Sequence, residues 1–129
     1  MKANNGWFKF EACDVRTSFR VLHIPEREVA RWDSVFRDMV DKPIKTCRSD
    51  GGYFLCVQLT SRTFAKKLMR KLALINPDDS YCERNMSVSV VSDRPSVDIV
   101  LPGFIMEFYK NVGGSFDLSF IAFREEDER

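Results

Sequence analysis

The apolar residues of this chain change their spacing repeatedly, and that alternation leaves room for few folds. Residues 7 to 13 place Phe8, Phe10 and Ala12 on one side and Lys9 and Glu11 on the other, the two-residue period of a half-buried strand. Arg16-Thr17-Ser18 interrupts the pattern and Phe19-Arg20-Val21-Leu22 resumes it, so the segment is either one long bent strand or two strands with a short turn between them. The period then changes to three and four. Pro25 suits the first position of a helix, Glu26 and Glu28 sit where the helix dipole favours negative charge, and Val29, Trp32, Phe36, Met39 and Val40 form a stripe ending before Pro43. Arg27, Arg31, Asp38 and Asp41 occupy its other faces.

Two arms, Ile44 to Arg48 and Gly52 to Leu59, flank Asp50-Gly51, a dipeptide suited to a tight hairpin turn. Tyr53, Leu55, Val57 and Leu59 share a face of the second arm while Phe54 and Cys56 put apolar groups on the other, which predicts a strand central in its sheet. Thr60 or Ser61 can cap a second helix with the stripe Phe64, Leu68, Leu72 and Ile75, stopped by Asn76-Pro77. A polar loop through Asp78-Asp79-Ser80 follows. Met86, Val88 and Val90, then Val97, Ile99 and Leu101 beyond Ser92-Asp93-Arg94-Pro95, read as two strands of a hairpin. Pro102 opens a third helix buried through Phe104 or Ile105, Phe108 and Val112, and Gly113-Gly114 closes it. The last strand carries Phe116, Leu118, Phe120 and Ala122 on one side, ahead of the charged tail 124–129.

These elements predict a single α+β domain over 1–129, with frayed ends at 1–6 and 124–129. Its expected architecture is a mainly antiparallel sheet with three helices, a ferredoxin-like β-α-β-β-α-β core plus a β-α-β extension. A chain of 129 residues is long enough to bury a core without metals or cross-links. Its first residues contain no apolar signal segment and no apolar run reaches the length of a membrane span, so a cytoplasmic protein is the default expectation, with Cys13, Cys47, Cys56 and Cys82 reduced. Cys56, inside an apolar run, is expected to be buried.

The search for chemistry is mostly one of exclusion. The cysteines are separated by 34, 9 and 26 positions, unlike the close ligand pairs of structural zinc sites, and His23 is the sole histidine. Cys13 and His23 are the nearest Cys-His combination, with nothing in the sequence to orient them as a nucleophile pair. Asp50-Gly51-Gly52 and Gly113-Gly114 lack the flanking residues of phosphate-binding loops. The acid pairs Asp78-Asp79 and Glu125-Glu126 read as solvated loop and tail residues. No catalytic residue, metal or cofactor is therefore assigned. The strand order also raises RNA binding, for which Tyr53, Phe54 and Trp7 or Phe8 are the stacking candidates. Phe stands, however, where the RNA-recognition motif needs Gly or Ala, so nucleic acid is an unfavoured partner.

Charge supplies a more specific clue. The formal net charge is +1, but residues 1 to 77 hold 15 basic and 8 acidic residues whereas residues 78 to 129 hold 5 basic and 11 acidic. The acids Asp78, Asp79, Glu83, Asp93, Asp98, Glu107 and Asp117 would give one side of the domain a field that attracts a basic protein. Of these, Asp93, Asp98, Glu107 and Asp117 are the candidate partner-binding residues. The alternative is an anionic partner on the second helix, through Arg62, Lys66, Lys67, Arg70 and Lys71. Internal pairing between the two sets would leave little net field.

The run Pro95-Ser96-Val97-Asp98-Ile99-Val100-Leu101-Pro102, the helix Phe104 to Asn111 and the strand Gly114-Ser115-Phe116-Asp117-Leu118-Ser119-Phe120 together resemble the end of small bacterial immunity proteins of contact-dependent inhibition systems. The resemblance covers about 30 residues. It implies a non-enzymatic, cytoplasmic α+β protein that neutralises a cognate toxin by covering its active site, often with acids against a basic nuclease. The basic second helix departs from that acidic character.

Overall fold

The computed structural model describes residues 7–9, 13–49, 51–75, 82–94 and 97–122. Phe10, Glu11 and Ala12, the Asp50 of the expected hairpin turn, the Asn76-Pro77 stop, Asp78-Asp79-Ser80, Pro95-Ser96 and both expected frayed ends lie outside these residues. Over these residues the fold is α+β, with three α-helices and a six-stranded, mostly antiparallel sheet. In chain order its elements are β1 (Trp7–Lys9), β2 (Cys13–Ile24), α1 (Val29–Phe36), β3 (Arg48–Ser49), β4 (Gly52–Gln58), α2 (Arg62–Leu74), β5 (Glu83–Ser92), α3 (Gly103–Val112) and β6 (Ser115–Ala122). The sheet order is β3-β4-β2-β5-β6. β1 also pairs with β2, and β5-β6 is the parallel pair.

β2 is the axis of the sheet. It runs through Arg16-Thr17-Ser18 without a turn, because Thr17 is a core residue: its backbone is fully buried with its side chain, and its hydroxyl donates to the Leu59 carbonyl at 3.2 Å while the Leu59 N–H donates to the Thr17 carbonyl at 3.0 Å. A buried hydroxyl with a partner costs little, so the two-residue period continues through an apparently polar position. Cys13, Val15, Thr17, Phe19 and Val21 face the helices, and Asp14, Arg16, Ser18 and Arg20 face away. A register shift between Val21 and Ile24 then turns Ile24 back into the core, with His23 at φ 65 taking up the extra residue. Single residues in this left-handed region are uncommon outside glycine, but histidine is among those that enter it.

The helices use the predicted stripes. Trp32 and Phe36 of α1 are fully buried and stacked at 5.4 Å between ring centroids. Ser61, rather than Thr60, caps α2 by accepting from the Phe64 N–H at 3.1 Å. The fully buried Phe108 of α3 meets Phe19 edge-on at 5.1 Å, seating that helix on β2.

Three expectations change. The first helix ends at Phe36, and in place of a strand from Ile44 a tight turn spans Ile44–Thr46, leaving only Arg48–Ser49 to pair with β4. The cause is Asp33, a buried carboxylate on α1 that accepts from the Ile44 and Lys45 backbone N–H groups and so holds the turn against the helix. β4 accordingly lies next to a two-residue edge strand. The predicted hairpin between 86–90 and 97–101 is absent. Residues 97–101 are in no strand, although Val97, Ile99 and Leu101 are packed against the core and Asp98 and Val100 are exposed. Their alternation records which side faces the core, and the edge of β5 they would have needed is taken by β6. β5, α3 and β6 instead form a parallel pair of strands with a crossover helix.

Candidate protein interface

Among the described residues no group of three or more His, Cys, Asp and Glu is placed to hold a metal ion, and no helix is long and apolar enough to cross a membrane. Cys13 and His23 cannot form a nucleophile pair, since they lie ten residues apart on the same strand, about 30 Å at the rise of an extended chain. Cys13 is buried, which pushes its thiol up, with Asp14 adding to the effect. Cys56 is exposed on the face away from the helices, contrary to expectation, because its position on β4 alternates with buried Leu55 and Val57. His23 is taken up structurally, with Nδ1 2.9 Å from the Gly51 carbonyl and Nε2 3.3 Å from the Glu83 carboxylate.

The basic helix is largely neutralised from within. Arg62 pairs with Glu107 of α3 at 3.1 Å, and Lys67 and Lys71 both reach Asp38, just beyond α1, at 2.6 and 2.7 Å. The hydrogen bond from Lys67, then that from Lys71, hold the Asp38 carboxyl down at about 2. Lys71 also donates to the Val35 carbonyl at 2.7 Å, so its ammonium joins α2 to α1. That leaves Lys66 and Arg70, both exposed, as the members of the anionic-partner face without an ion pair among the described residues.

The four candidate acids are not brought together. Glu107 lies in the helix layer with Arg62. Asp117 projects from β6 onto the open face of the sheet, where it accepts from Asn85 Nδ2 at 2.7 Å. Asp93 and Asp98 are exposed on the connection from β5 to α3, with no ion pair among the described residues. Because Ser92 pairs with Ala122, Asp93 stands at the end of the sheet where β6 finishes. Of the other acids in the second half, Glu83 faces His23, and Asp78 and Asp79 lie outside the described residues.

The open sheet face carries a hydrogen-bonded polar network that the sequence did not announce. Arg16 Nε and Ser18 Oγ donate to Gln58 Oε1 at 2.8 and 2.9 Å, joining β2 to β4. Arg20 donates through Nε and Nη2 to Asn85 Oδ1 at 3.1 and 2.7 Å, and Asn85 Nδ2 donates on to Ser115 and Asp117, joining β2 through β5 to β6. Asn85 is buried beneath these partners, and the lone amide in the Ser-Val alternation of β5 was the available signal. The RNA-stacking candidates are dispersed. Phe8 is fully buried against Phe104, and Tyr53 is packed against the core with Arg48 over its ring. Trp7 lies beside Arg16 near one end of β2, while Phe54 lies between Tyr53 and Leu55, which pair near the other end, about 20 Å away along the strand.

The least ordinary surface is β6. All eight of its residues are exposed, including Phe116 at 37%, Leu118 at 63%, Phe120 at 42% and Ile121 at 55%. Phe116, Leu118 and Phe120 do share one face, as predicted, and it is the helix face, since they sit beside Met86, Val88 and Val90 of β5. They are uncovered because the buried stripe of α3 sits inward, with Phe108 on Phe19 of β2 and Phe104 on Phe8 of β1. Its Tyr109 reaches out, touching Phe116 edge-on at 5.3 Å. A long, largely apolar edge with Asp117 as its one charged residue is what monomeric sheets ordinarily avoid with short strands, prolines, bulges or lysines. No protein-family model, curated protein or solved structure matches the chain.

Proposed function

We infer that the chain is a non-enzymatic protein-binding module, and that it serves as an immunity protein that covers the active site of a cognate bacterial toxin. The observation that carries the reading is the β6 edge. It offers apolar side chains and, among the described residues, an unpaired backbone edge along eight residues, a surface suited to another polypeptide rather than to a small molecule. Asp93, next to the end of β6, and Asp98, on the connection into α3, are exposed with no ion pair among the described residues and offer acidic groups to a basic partner, whereas Arg62, Lys67 and Lys71 of the basic helix are already paired. Charge therefore favours the acidic end over the α2 face. The order β3-β4-β2-β5, with antiparallel neighbours throughout and α1 and α2 between strands, supports a ferredoxin-like core to which α3 and β6 are appended.

The test is co-expression with the product of the neighbouring reading frame. An equimolar complex should survive gel filtration. Reversing both acids, Asp93→Lys with Asp98→Lys, should slow association about tenfold at low salt while leaving the melting temperature unchanged. Absence of any complex, together with salt-sensitive retention of poly-pyrimidine RNA at micromolar concentration, would replace this reading with the RNA-binding one.

A further inference from the structure

We propose that, in the free protein, β6 is covered by β6 of a second copy of this chain, the two strands running antiparallel about a two-fold axis at Ser119. The inference rests on β6 being a recognition edge, and it names the first occupant of that edge.

The strand is complementary to itself. About an axis at Ser119, Leu118 stands opposite Phe120 of the other copy, Phe116 opposite Ala122, and Asp117 opposite Ile121. Asp117 is the sole charged residue of the strand, so no like charges face one another, and its carboxylate is already engaged by Asn85. An axis perpendicular to the sheet keeps both helix layers on the same side. Phe116, Leu118 and Phe120 of the two copies then meet in the gap between two α3 helices. Tyr109 and Met106 lie one turn apart on the flank of α3 that reaches Phe116, and they would line that gap.

The area is sufficient. The four exposed apolar side chains of β6 leave about 350 Å² of apolar surface per copy, judged from the size of such side chains. With both copies, the strand backbone and the α3 flank, the total reaches about 1,000 Å² or more, the threshold for a specific interface. Pairing of this kind is isologous and closes at two copies. The opposite end of the sheet carries the two-residue β3, with Arg48 on it, which blunts further strand addition.

The experiment uses the purified chain alone. Sedimentation equilibrium from about 1 to 100 µM should return twice the 15.0 kDa chain mass. Leu118→Lys, at a side chain that is mostly exposed in the single chain, should weaken the dimer about 100-fold or more without altering the circular dichroism spectrum. Register is read with Ser119→Cys in a background where Cys47, Cys56 and Cys82 are replaced by Ser. Mild oxidation should link two chains, and Ser115→Cys in the same background should not. A wild-type monomer throughout the range, a dimer indifferent to Leu118→Lys, or open-ended aggregates without the Ser119→Cys link would each overturn the proposal. A monomer that still forms the equimolar complex with the neighbouring gene's product would remove the second copy while leaving the functional reading standing.

Discussion

Two glycines of the β5-α3-β6 unit should respond in opposite directions to the same added methyl group. Gly114 has φ 98, a conformation that L side chains rarely adopt, and a Cβ there would stand 2.4 Å from the Arg84 carbonyl oxygen. The left-handed backbone costs a non-glycine residue about 1 to 2 kcal/mol. Relief of the contact requires shifting backbone of β5 at the start of its ladder with β6, a strain of about 1 to 3 kcal/mol more. Gly103, the first residue of α3, has nothing within 4 Å of the same atom. Alanine there gains helix propensity and loses unfolded-chain entropy, a benefit of about 0.5 kcal/mol. At about 4 °C per kcal/mol for a domain of this size, Gly114→Ala should lower the melting temperature by roughly 10 to 15 °C and Gly103→Ala should raise it by about 2 °C. Thermal unfolding followed by circular dichroism at 222 nm, with urea unfolding as a check on two-state behaviour, measures both. A Gly114→Ala protein within about 3 °C of wild type would refute the account of how β6 is held beside β5.

Thr17→Val keeps the volume of a fully buried side chain but removes the hydroxyl that meets the Leu59 carbonyl, so it should cost about 1 to 2 kcal/mol in urea unfolding, and a Val variant as stable as wild type would discount that bond. Asp38, whose folded value of about 2 lies below its ordinary 3.8, contributes stability that is present above about pH 4 and is lost as the pH falls through about 2. Asp38→Asn should therefore be less stable than wild type at neutral pH, and the two should converge at pH 2 in a pH series of thermal melts. Because Asp38 is an exposed partner of Lys67 and Lys71, the difference should also shrink in 1 M salt.

Local pattern and long-range pairing separate cleanly here. The stripes Val29, Trp32 and Phe36 and Leu68, Leu72 and Ile75 were legible because helical side-chain direction follows from spacing alone, and both stripes are buried. The alternation of Val97, Ile99 and Leu101 was equally real, yet it belongs to an unpaired segment, because period reports a face and says nothing about a neighbour. Thr17 looked like a break, and nothing in the spacing singled out Asp33. Their partners, Leu59 and the Ile44 turn, lie 42 and 11 residues away and exist only in the folded chain.

The candidate surface divides in the same way. By itself the sequence determined an α+β chain with three amphipathic helices, excess basic charge in its first 77 residues and excess acidic charge in its last 52. Tertiary structure decided which charges cancel, by placing Asp38 between Lys67 and Lys71 and Glu107 beside Arg62. It also decided that Phe116, Leu118 and Phe120, aligned in sequence as though for a core, lie on an open edge. The physical reason is that burial depends on what is left to cover a strand once every other element has taken its place. In this chain α3 is spent on β1 and β2, and among the described residues β6 is the last strand of the sheet.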